Sequence, residues 1–369
     1  MKIAVFFTYQ YSVNTLINSG IFNREMKIYK KLIEKYNIEF IFFTYESHAE
    51  NEFTYDGLHF IPLYNFLTFS NNKIIMFLKS LTIPFKIRNI INDVDIFHQH
   101  QILGSWIPLI LKVITKKPVL TRTGYDAYEF SIKNDEGFLR INFYKLLTKL
   151  TLKFSDTYTV TSNADIKFLR SKFKINEIKL VPNWVEVNYS KLKRQSDTIL
   201  MVGRLENQKN YQMAIDFLNK SKIDVGIDVY GTGSLKEKLE STVSKDNLNI
   251  NFLGNINHEE LILIYQQYKY FLSTSEFEGN PKTILEALAN GCIVFAKNNE
   301  NNAEIIRDSE NGFLFSNIDE LIVKFEKEYK NGDSQLKNKD NYSKYLKNNN
   351  IDLISEKMFK DYKDLIDFK

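Results

Sequence analysis

The stretch TILMVGRLENQKNYQMAIDFLNK, residues 198–220, contains the pattern that decides the fold. An apolar run from Ile199 to Val202 stops at Gly203, and after a polar loop the apolar residues return at helical spacing. This pattern predicts a β-strand, a glycine turn and an amphipathic helix, in that order. Because the same unit recurs along most of the chain, we expect an α/β protein whose parallel sheets are covered by helices on both faces.

The strand-like runs fall into two series that a polar segment separates. This segment, residues 186–197, has no apolar periodicity and is interpreted as an interdomain linker. We therefore predict a first domain over residues 1–187 and a second domain over residues 196–345. The runs are KIAVFF, IEFIFFTY, DIFHQH, PVLTRTG, TYTVTS and IKLVPN in the first domain, and TILMVG, VGIDVYG, INFLG, YFLSTS and CIVFA in the second.

The composition is that of a globular protein. The chain has 369 residues, enough for two domains with separate cores, and 44% of them are hydrophobic against 25% charged. A formal net charge of +4 is too small to indicate nucleic-acid binding, so no nucleic acid is expected as a partner.

Cysteine content and hydropathy bear on the cellular compartment. The lone cysteine, Cys292, excludes a disulfide within the chain and a thiolate zinc cluster, and it favours a reducing cytoplasm. The N-terminal apolar run is predicted to be a first strand and not a signal peptide. The longest apolar stretch, residues 103–114, contains Lys112 and is shorter than the roughly 18–20 residues needed to span a bilayer. We expect a cytoplasmic protein, either soluble or at the inner face of a membrane.

The stretch EFEGNPKTILEALANG contains a predicted helix with one carboxylate just before it and another inside it. We predict a helix over residues 281–290, with Asn280 as its N-cap, Glu278 in the loop before it and Glu286 inside its apolar run. The free N–H groups at the helix start favour a phosphate, and Gly279 lets a ligand approach the backbone. Ionised carboxylates accept strong hydrogen bonds from hydroxyls, so the pair suits a ligand with hydroxyls on both sides of a phosphate. A nucleotide-sugar fits this description.

A simpler interpretation of the same residues stays open. Lys282 and Glu286 are four residues apart, so they could form a surface ion pair worth a few tenths of a kcal/mol, and Glu278 could be a solvated turn residue.

A basic pair follows the strand of the opening stretch. Arg204 lies at the strand end and Lys209 lies just before the helix, and two cations in such a loop suit a diphosphate. If the diphosphate is a leaving group, they stabilise its developing negative charge without a metal. Two solvated loop charges are the alternative.

An ordered set of motifs resembles one known family. Taken in the order in which the motifs occur along the chain, the set is similar to glycosyltransferase family 4, the "glycosyl transferases group 1" domain, whose members are retaining enzymes with the GT-B fold. The likeness is strongest from about residue 156 to 315. The motifs are SGIFNREMKIYKKL, TVTSNADIKFL, KLVPNWVEV, VGRLENQKN, VYGTGSLKEKL, INFLGNINHEEL, LSTSEFEG, EGNPKTILEALANG and AEIIRDSENGFLF.

The resemblance implies a fold and a set of donor-site roles. Two Rossmann-like domains would face each other across a cleft, and residues 350–369 would cross back to the first domain. Arg204 and Lys209 match the pair that holds the donor diphosphate, Glu278 matches the glutamate near the reacting sugar carbon, and Glu286 matches the ribose ligand. We assign the catalytic roles to Glu278, Arg204 and Lys209. The donor-binding candidates are Glu286, Gly279, Asn280, Pro281, Lys282, Thr283, Gly203 and Gly231.

The first domain departs from the family pattern. Many members carry a histidine after the strand that corresponds to PVLTRTG, where this chain reads TRTGYDAYEF and has none. The glycine-rich first loop is reduced to Gly20. The candidates for the acceptor side are therefore Gly20, Arg122, Gly124, Tyr125, Asp126 and Asn183.

Three further signals are weaker. GTGSLK lacks the third glycine of a dinucleotide fingerprint and is interpreted as a tight turn near the nucleotide base. His98 and His100 alternate on a strand, and without nearby carboxylates or cysteines they favour a core or cleft role over metal binding. The stretches NNKIIMFLKSLTIPFKIRN and INFYKLLTKLTLKF suit either solvated amphipathic helices or an anionic membrane surface.

The sequence therefore predicts a metal-independent, retaining hexosyltransferase that builds a surface polysaccharide. Its partners would be a nucleotide-sugar donor, linked to UDP or GDP, and a glycan or lipid-linked acceptor, and no cofactor is expected. A nucleotide-sugar epimerase on a similar scaffold would act without an acceptor. A sensor that binds the sugar-nucleotide would show no turnover.

Overall fold

A computed structural model describes residues 1–45, 53–55, 57–175, 177–186, 194–331 and 346–367. The chain forms two compact units. Unit 1 comprises Met1–Val181 and Asp352–Lys369, and unit 2 comprises Pro182–Ile351. Among the described residues, none of the helices has both the length and the apolar character needed to cross a membrane.

The sheet of unit 1 has the strand order of a dinucleotide-binding fold. The order is β3-β4-β2-β1-β5-β6-β7-β8, with β3 antiparallel to β4 and the other neighbours parallel. Chain order reverses between β1 and β5, where ligands bind in open α/β sheets. The strands are β1 (Lys2–Phe6), β2 (Glu39–Thr44), β3 (Phe53–Tyr55), β4 (Leu58–Pro62), β5 (Ile96–His100), β6 (Val119–Thr123), β7 (Thr157–Val160) and β8 (Lys179–Leu180).

Helices connect these strands and cover the sheet. A 3₁₀ helix at Leu63–Phe66 follows β4. The helices are α1 (Val13–Asn18), α2 (Phe22–Tyr36), α3 (Lys73–Ser80), α4 (Ile83–Lys86), α5 (Trp106–Thr115), α6 (Ala127–Lys133), α7 (Phe138–Phe154) and α8 (Asn163–Lys172).

Unit 2 repeats the same strand order in a parallel sheet. The order is β11-β10-β9-β12-β13-β14, so the reversal falls between β9 and β12. A 3₁₀ helix at Asn207–Lys209 follows β9. The strands are β9 (Gln195–Val202), β10 (Gly226–Tyr230), β11 (Ile250–Gly254), β12 (Tyr268–Ser273), β13 (Ile293–Lys297) and β14 (Phe313–Phe315). The helices are α9 (Tyr211–Lys220), α10 (Lys236–Lys245), α11 (His258–Gln267), α12 (Lys282–Ala289), α13 (Glu300–Ile305) and α14 (Ile318–Lys330).

The last helix, α15 (Ile351–Asp367), returns to unit 1 after a 3₁₀ turn at Lys347–Asn349. The Tyr362 hydroxyl lies 2.7 Å from Nδ1 of His98, and both residues are fully buried. Burial also lowers the pKa of His98 well below its usual value, so the imidazole is a neutral member of the core. Since His98 sits on β5, this contact anchors α15 to the centre of the sheet.

Two apolar layers enclose the sheet of unit 2. Helices α9, α10 and α14 cover one face, and α11 and α12 cover the other. Helix α12 is buried almost all round, because Ile284, Leu285 and Leu288 have no exposed surface. Truncating one of these leucines should destabilise the fold by about 2–5 kcal/mol. A rigid α12 fixes the loop that precedes it.

The structure differs from the expected element boundaries at two places. The predicted linker extends to Asp197, but β9 already begins at Gln195, which pairs with Tyr268 of β12. Arg194 donates to the carbonyls of Tyr265 and Tyr268, so the chain has entered unit 2 by this point. Residues 187–193, and the predicted domain end at residue 345, lie outside the described residues.

The second difference concerns the start of α12. The N-cap position is Pro281 and not Asn280, because the Asn280 side chain bonds to Asn183.

Candidate functional site

The loops that follow β9 and β12 meet at the reversal of strand order in unit 2. The hydroxyl of Thr274 donates to the carbonyl of Lys209 at 2.7 Å, and the amide of Glu276 donates to the carbonyl of Gln208 at 3.0 Å. These bonds hold the two loops together, so their side chains occupy fixed positions at the edge where α/β sheets bind ligands.

Lys209 and Glu278 form an ion pair across these loops. Lys209 Nζ lies 2.5 Å from Glu278 Oε1, and the two side chains are 17% and 9% exposed. Gln208 Nε2 holds the same loop by donating to the carbonyl of Phe277 at 2.7 Å. A Cβ added at Gly203 would lie 3.3 Å from Lys209 Cε, so the glycine gives the lysine stem its room. The result is a cation and a carboxylate held side by side.

Arg204 lies on the same loop but is exposed. The neighbouring Glu206 accepts from the amide of Ser234 at 2.9 Å and from its hydroxyl at 2.7 Å. These bonds, the one from the amide first, lower the pKa of Glu206. The loop after β9 is thereby tied to the loop after β10.

Gly231 allows the same two loops to touch. Its φ is +148°, and a Cβ there would collide with the carbonyl oxygen of Gly203. Side chains other than hydrogen are therefore excluded at this position. Gly203 and Gly231, both predicted donor-binding residues, are in backbone contact.

The loop before α12 is buried and fastened to the segment at the start of unit 2. Gly279, Asn280 and Pro281 are buried, whereas Lys282 and Thr283 are half-buried. Asn183 donates through its amide N–H to Asn280 Oδ1 at 3.0 Å and through Nδ2 to the carbonyl of Asn280 at 2.7 Å. Asn183 is predicted for the acceptor side, but the structure places it in unit 2 against the donor-loop candidates.

Glu286 is a buried residue with two hydrogen-bonding neighbours on α11. Its side chain is 5% exposed, Oε1 lies 3.0 Å from His258 Nε2, and Oε2 accepts from the Tyr265 hydroxyl at 3.3 Å. Glu286 is therefore buried and is not a solvated surface residue. A carboxylate has about four lone-pair sites, so Glu286 can accept further hydrogen bonds from a ligand.

His258 and Tyr265 were not among the predicted site residues. His258 stands in INFLGNINHEEL, a motif of the resemblance to which no role was attached, so a signal for it was present. Tyr265 fits the apolar pattern of its helix, and the sequence gives no sign that its hydroxyl faces a carboxylate. Gln208 and Asn349 were also missed, because their partners are distant in sequence.

The remaining candidates lie in unit 1. Gly20 ends α1 with φ +72°, and Arg122 donates to the carbonyl of Val181 at 2.7 Å. The amide of Gly124 donates to Gln101 Oε1 at 3.0 Å, which joins the loops after β5 and β6. Tyr125 is 38% exposed. The structure brings these residues to the carboxyl side of β6, apart from Gly20.

Asp126 is fully buried and acts as the N-cap of α6, with Oδ1 accepting from the amide of Glu129 at 2.8 Å. Its other oxygen has no hydrogen-bond partner among the described residues. Desolvation, with a smaller contribution from the Glu129 charge, raises the pKa of Asp126 to about 7. A contact between this carboxyl and an acceptor in solution would require the site to open, so a structural role describes Asp126 better than the predicted acceptor contact.

Unit 1 has its own strand reversal, whose loops the sequence did not single out. The hydroxyl of Thr8 donates to the carbonyl of His100, and the amide of Tyr9 donates to the carbonyl of Leu103. Gly104 allows this approach at φ +99°. Within the described part of the chain, no group of three or more His, Cys, Asp or Glu side chains is placed to hold a metal ion.

Solved structures resemble this chain over its whole length. Sucrose-phosphate synthase from Thermosynechococcus elongatus has a TM-score of 0.83 at 16% identity, and the alignment covers 100% of both chains. HepE from Anabaena in complex with UDP and glucose has a TM-score of 0.76 at 13% identity, covering 99% of this chain and 100% of HepE. These likenesses define the class of fold, which is GT-B.

Sequence comparison then finds a family model that is similar to most of unit 2. Residues 185–349 match the family model of the glycosyl transferases group 1. A relative from Campylobacter jejuni, "GalNAc-alpha-(1->4)-GalNAc-alpha-(1->3)-diNAcBac-PP-undecaprenol alpha-1,4-N-acetyl-D-galactosaminyltransferase", is 25% identical over 58% of this chain and 60% of its own length. Capsular polysaccharide biosynthesis glycosyltransferase CapH of Staphylococcus aureus is 25% identical over 62% of this chain and 67% of its own length. The chain thus spans about 60% of the first relative, and the matches support a glycosyltransferase domain in unit 2.

Proposed function

We propose that the protein is a retaining glycosyltransferase of family 4. It moves a hexose-type sugar from a nucleotide-diphosphate sugar to a glycan or lipid-linked glycan acceptor. The observation that carries this proposal is the Lys209–Glu278 pair, which is fixed at the β9–β12 reversal directly ahead of α12. A cation, a carboxylate and a helix start at this edge together suit a ligand that combines phosphates with hydroxyls.

The diphosphate, the sugar and the ribose of the donor would each contact different groups of the site, according to their charge. The diphosphate lies at the first turn of α12, within reach of Arg204 and Lys209, the sugar hydroxyls face Glu278, and the ribose hydroxyls face Glu286. The ammonium of Lys209 has three N–H donors, so it can hold a phosphate oxygen while it keeps its bond to Glu278. Ion pairing in the free protein is therefore compatible with donor binding.

Transfer with retention needs no protein nucleophile in this scheme. The bond between the anomeric carbon and the phosphate oxygen breaks, and its electron pair stays on the nucleoside diphosphate. The acceptor hydroxyl oxygen forms the new bond on the same face, and its proton moves to the departing phosphate. Arg204 and Lys209 stabilise the charge that develops on the diphosphate, which is why we propose that a metal is not required.

The names of two relatives support the proposed acceptor class. One name includes an undecaprenol-linked glycan, and the other includes capsular polysaccharide biosynthesis. We assign the protein to surface polysaccharide synthesis, acting at the inner face of a membrane.

Donor binding is tested by thermal shift with UDP, GDP and their sugar conjugates. A ligand that binds only the folded state raises Tm, and the best ligand should raise it most. Glu286→Ala and Arg204→Ala should each weaken binding about 10- to 100-fold, because each removes a charge-assisted hydrogen bond to the ligand.

Two controls are matched to these variants. Glu328 is equally buried in α14 on the other face of the sheet, and Arg307 is an exposed arginine of unit 2, so Glu328→Ala and Arg307→Ala should bind normally. If no nucleotide shifts Tm, or if all four variants bind alike, the donor assignment is wrong.

Turnover separates the proposed reaction from its alternatives. The donor with the largest shift is incubated with and without a glycolipid extract of bacterial membranes, in the presence of EDTA. We expect nucleoside diphosphate release that depends on the extract, and a product whose anomeric configuration by NMR is that of the donor. Conversion of the sugar without extract would identify an epimerase, and binding without turnover would identify a sensor.

A further inference from the structure

One region of unit 1 has a larger net positive charge than the whole protein. Residues 57–155 contain thirteen Lys or Arg against six Asp or Glu, whereas the whole chain has a net charge of only +4. The rest of the chain is therefore acidic overall. No carboxylate occurs in residues 57–92 or 137–155, which include α3, α4 and α7. Charge is thus segregated onto one part of the fold.

The same helices expose large apolar side chains. Helix α7 buries Tyr144, Leu147, Thr148 and Thr151, and its opposite side exposes apolar residues at helical spacing. The members of this stripe are Leu139 at 84%, Phe143 at 38%, Leu146 at 57% and Leu150 at 39% exposed. Single exposed apolar residues are common on soluble proteins, but a repeated stripe indicates a binding surface.

Helix α3 continues this stripe. The ring of Phe77 on α3 lies 6.0 Å from the ring of Phe143 on α7, so the two helices are neighbours. We use the name apolar–basic face for the exposed apolar side chains of α3, α4 and α7 together with the cations beside them. Its apolar members outside α7 are Ile74 at 70%, Ile75 at 44%, Leu78 at 56% and Phe85 at 64% exposed. Its cations are Lys73, Lys79, Lys86 and Arg88 near α3 and α4, and Arg140, Lys145, Lys149 and Lys153 on α7.

We infer that the apolar–basic face docks on a bilayer of anionic phospholipid, with its leucine and isoleucine side chains in the acyl boundary. Helices that combine an apolar stripe with lysines lie in the plane of such an interface, and each lysine near an anionic surface adds to the attraction. A second copy of the chain fits the face poorly, because a twofold contact would place the same cations against one another.

This inference rests on the peripheral placement in the proposed function and deepens it, since it names the surface and the lipid charge. A protein docked in this way would meet lipid-linked acceptors in the plane of the membrane, where unit 1 carries the predicted acceptor side. Docking itself uses no donor residue, so it can be measured without nucleotide.

The test is co-sedimentation of the full chain with vesicles at low salt. We expect binding to vesicles that mix phosphatidylcholine with phosphatidylglycerol, little binding to phosphatidylcholine alone, and loss of binding at high salt. Lys145→Gln combined with Lys149→Gln should weaken partitioning about 30-fold, at roughly five-fold for each lysine. Leu139→Ser combined with Leu146→Ser should weaken it by about 10-fold or more.

Matched controls lie in unit 2. Leu263 and Val323 are 58% and 66% exposed, and Lys220 and Lys238 are exposed lysines, so Leu263→Ser with Val323→Ser and Lys220→Gln with Lys238→Gln should bind like the native chain. Equal binding by all variants, or a native chain that stays in the supernatant, overturns the inference. Dimers in light scattering that the Leu139→Ser and Leu146→Ser pair abolishes, without vesicle binding, would assign the face to self-association instead.

The nucleotide thermal shift of the same variants separates the two proposals. A docking variant that binds vesicles poorly, but whose Tm rises normally with nucleotide, supports both proposals. A native chain that binds vesicles, but whose Tm is not raised by any nucleotide, would refute only the donor assignment.

Discussion

At the scale of single residues, the two candidate carboxylates are stabilised in different ways. Glu278 is paired with the Lys209 ammonium, whereas Glu286 lies beside an imidazole and a phenol. Removing one partner of a largely buried ion pair leaves an uncompensated charge and costs about 3–5 kcal/mol. Loss of activity in a Lys209 or a Glu286 variant therefore needs a stability measurement beside it, because Glu286→Ala also removes an acceptor of the buried Tyr265 hydroxyl.

Asp126 gives a prediction about pH and stability. Its pKa rises from 3.8 to about 7 on folding because burial disfavours the ionised carboxyl. Between these values the folded state binds more protons than the unfolded state, so the contribution of Asp126 is present below about pH 4 and is lost as pH rises through 7. Asp126→Asn keeps the cap of α6 but cannot ionise. Its free energy of unfolding relative to the native chain should rise by about 1–3 kcal/mol from pH 4 to pH 8, as measured by urea denaturation.

A control variant is needed because other ionisable groups lie near Asp126. Glu129 adds a like charge, and the buried Tyr158 hydroxyl is also affected by the Asp126 charge. Asp126→Ala loses the cap as well as the charge, so it should follow the same pH trend about 1 kcal/mol lower throughout. A difference between Asp126→Asn and the native chain that is constant from pH 4 to pH 8 would contradict the proposed cause.

What the sequence predicts about the site depends on how local each signal is. Arg204, Lys209 and Glu278 were singled out because each lies in a loop between a predicted strand and the helix that follows it, where position follows from the strand–helix pattern. His258 and Tyr265 reach Glu286 from another helix, and that contact depends on how α11 packs against α12. Asp126 was predicted for the acceptor side, and its burial was not foreseen, because a sequence does not state which side of a turn is buried.

At the scale of elements, three asparagines connect the donor loop to the two segments that enter and leave unit 2. Asn183 bonds to Asn280, and Asn349 Nδ2 donates to the carbonyl of Asn183 at 2.8 Å. The amide of Val185 in turn donates to the carbonyl of Asn349 at 2.7 Å. The loop before α12 is thus held by a segment 97 residues earlier in the chain, and Asn349 in turn holds that segment.

We predict that Asn183 and Asn349 position the donor loop. Asn183→Ala and Asn349→Ala each remove a buried side-chain hydrogen bond, which should destabilise unit 2 by about 1–3 kcal/mol. If the proposed function holds, each should also raise KM for the donor several-fold and leave KM for the acceptor unchanged in steady-state kinetics.

A buried asparagine elsewhere in unit 2 provides the comparison. Asn311 accepts from the amide of Arg307 and donates to the carbonyl of Ile305, so these bonds stay within the turn that follows α13. Asn311→Ala should destabilise the protein by a similar amount without raising KM for the donor. If its kinetic effect equalled that of the Asn183 variant, the loop-positioning role would be refuted.

Element types were more predictable than element ends. The alternation of apolar runs with helical patterns predicted most of the strands in both sheets, since the two periods differ, but none of the predicted runs covers β3, β4 or β14. The start of α12 was misplaced by one residue, because Asn280 has a long-range partner that competes with capping. The linker was drawn too long for a related reason, as polar residues at the start of β9 pair with β12 regardless of their propensity.

At the scale of the whole molecule, unit 1 is completed only by the last helix of the chain. Beside the contact between Tyr362 and His98, the rings of Tyr36 and Phe359 stack at 3.9 Å, and Lys179 pairs with Asp361 at 2.8 Å. Unit 2 is thus inserted between two parts of unit 1. The first part of unit 1 lacks one of its helices until unit 2 has been synthesised.

This organisation predicts that the two units unfold in separate steps, and that substituting a tyrosine in one unit destabilises that unit only. Tyr362→Phe removes the hydroxyl beside His98 in unit 1, and Tyr265→Phe removes the hydroxyl that donates to Glu286 in unit 2. Each change leaves a buried polar atom short of a partner, at a cost of about 1–3 kcal/mol. In scanning calorimetry we expect two transitions, each variant lowering a different one by roughly 2–4 °C per kcal/mol. A single transition that both variants lower equally would mean that the inserted unit and its host unfold as one cooperative structure.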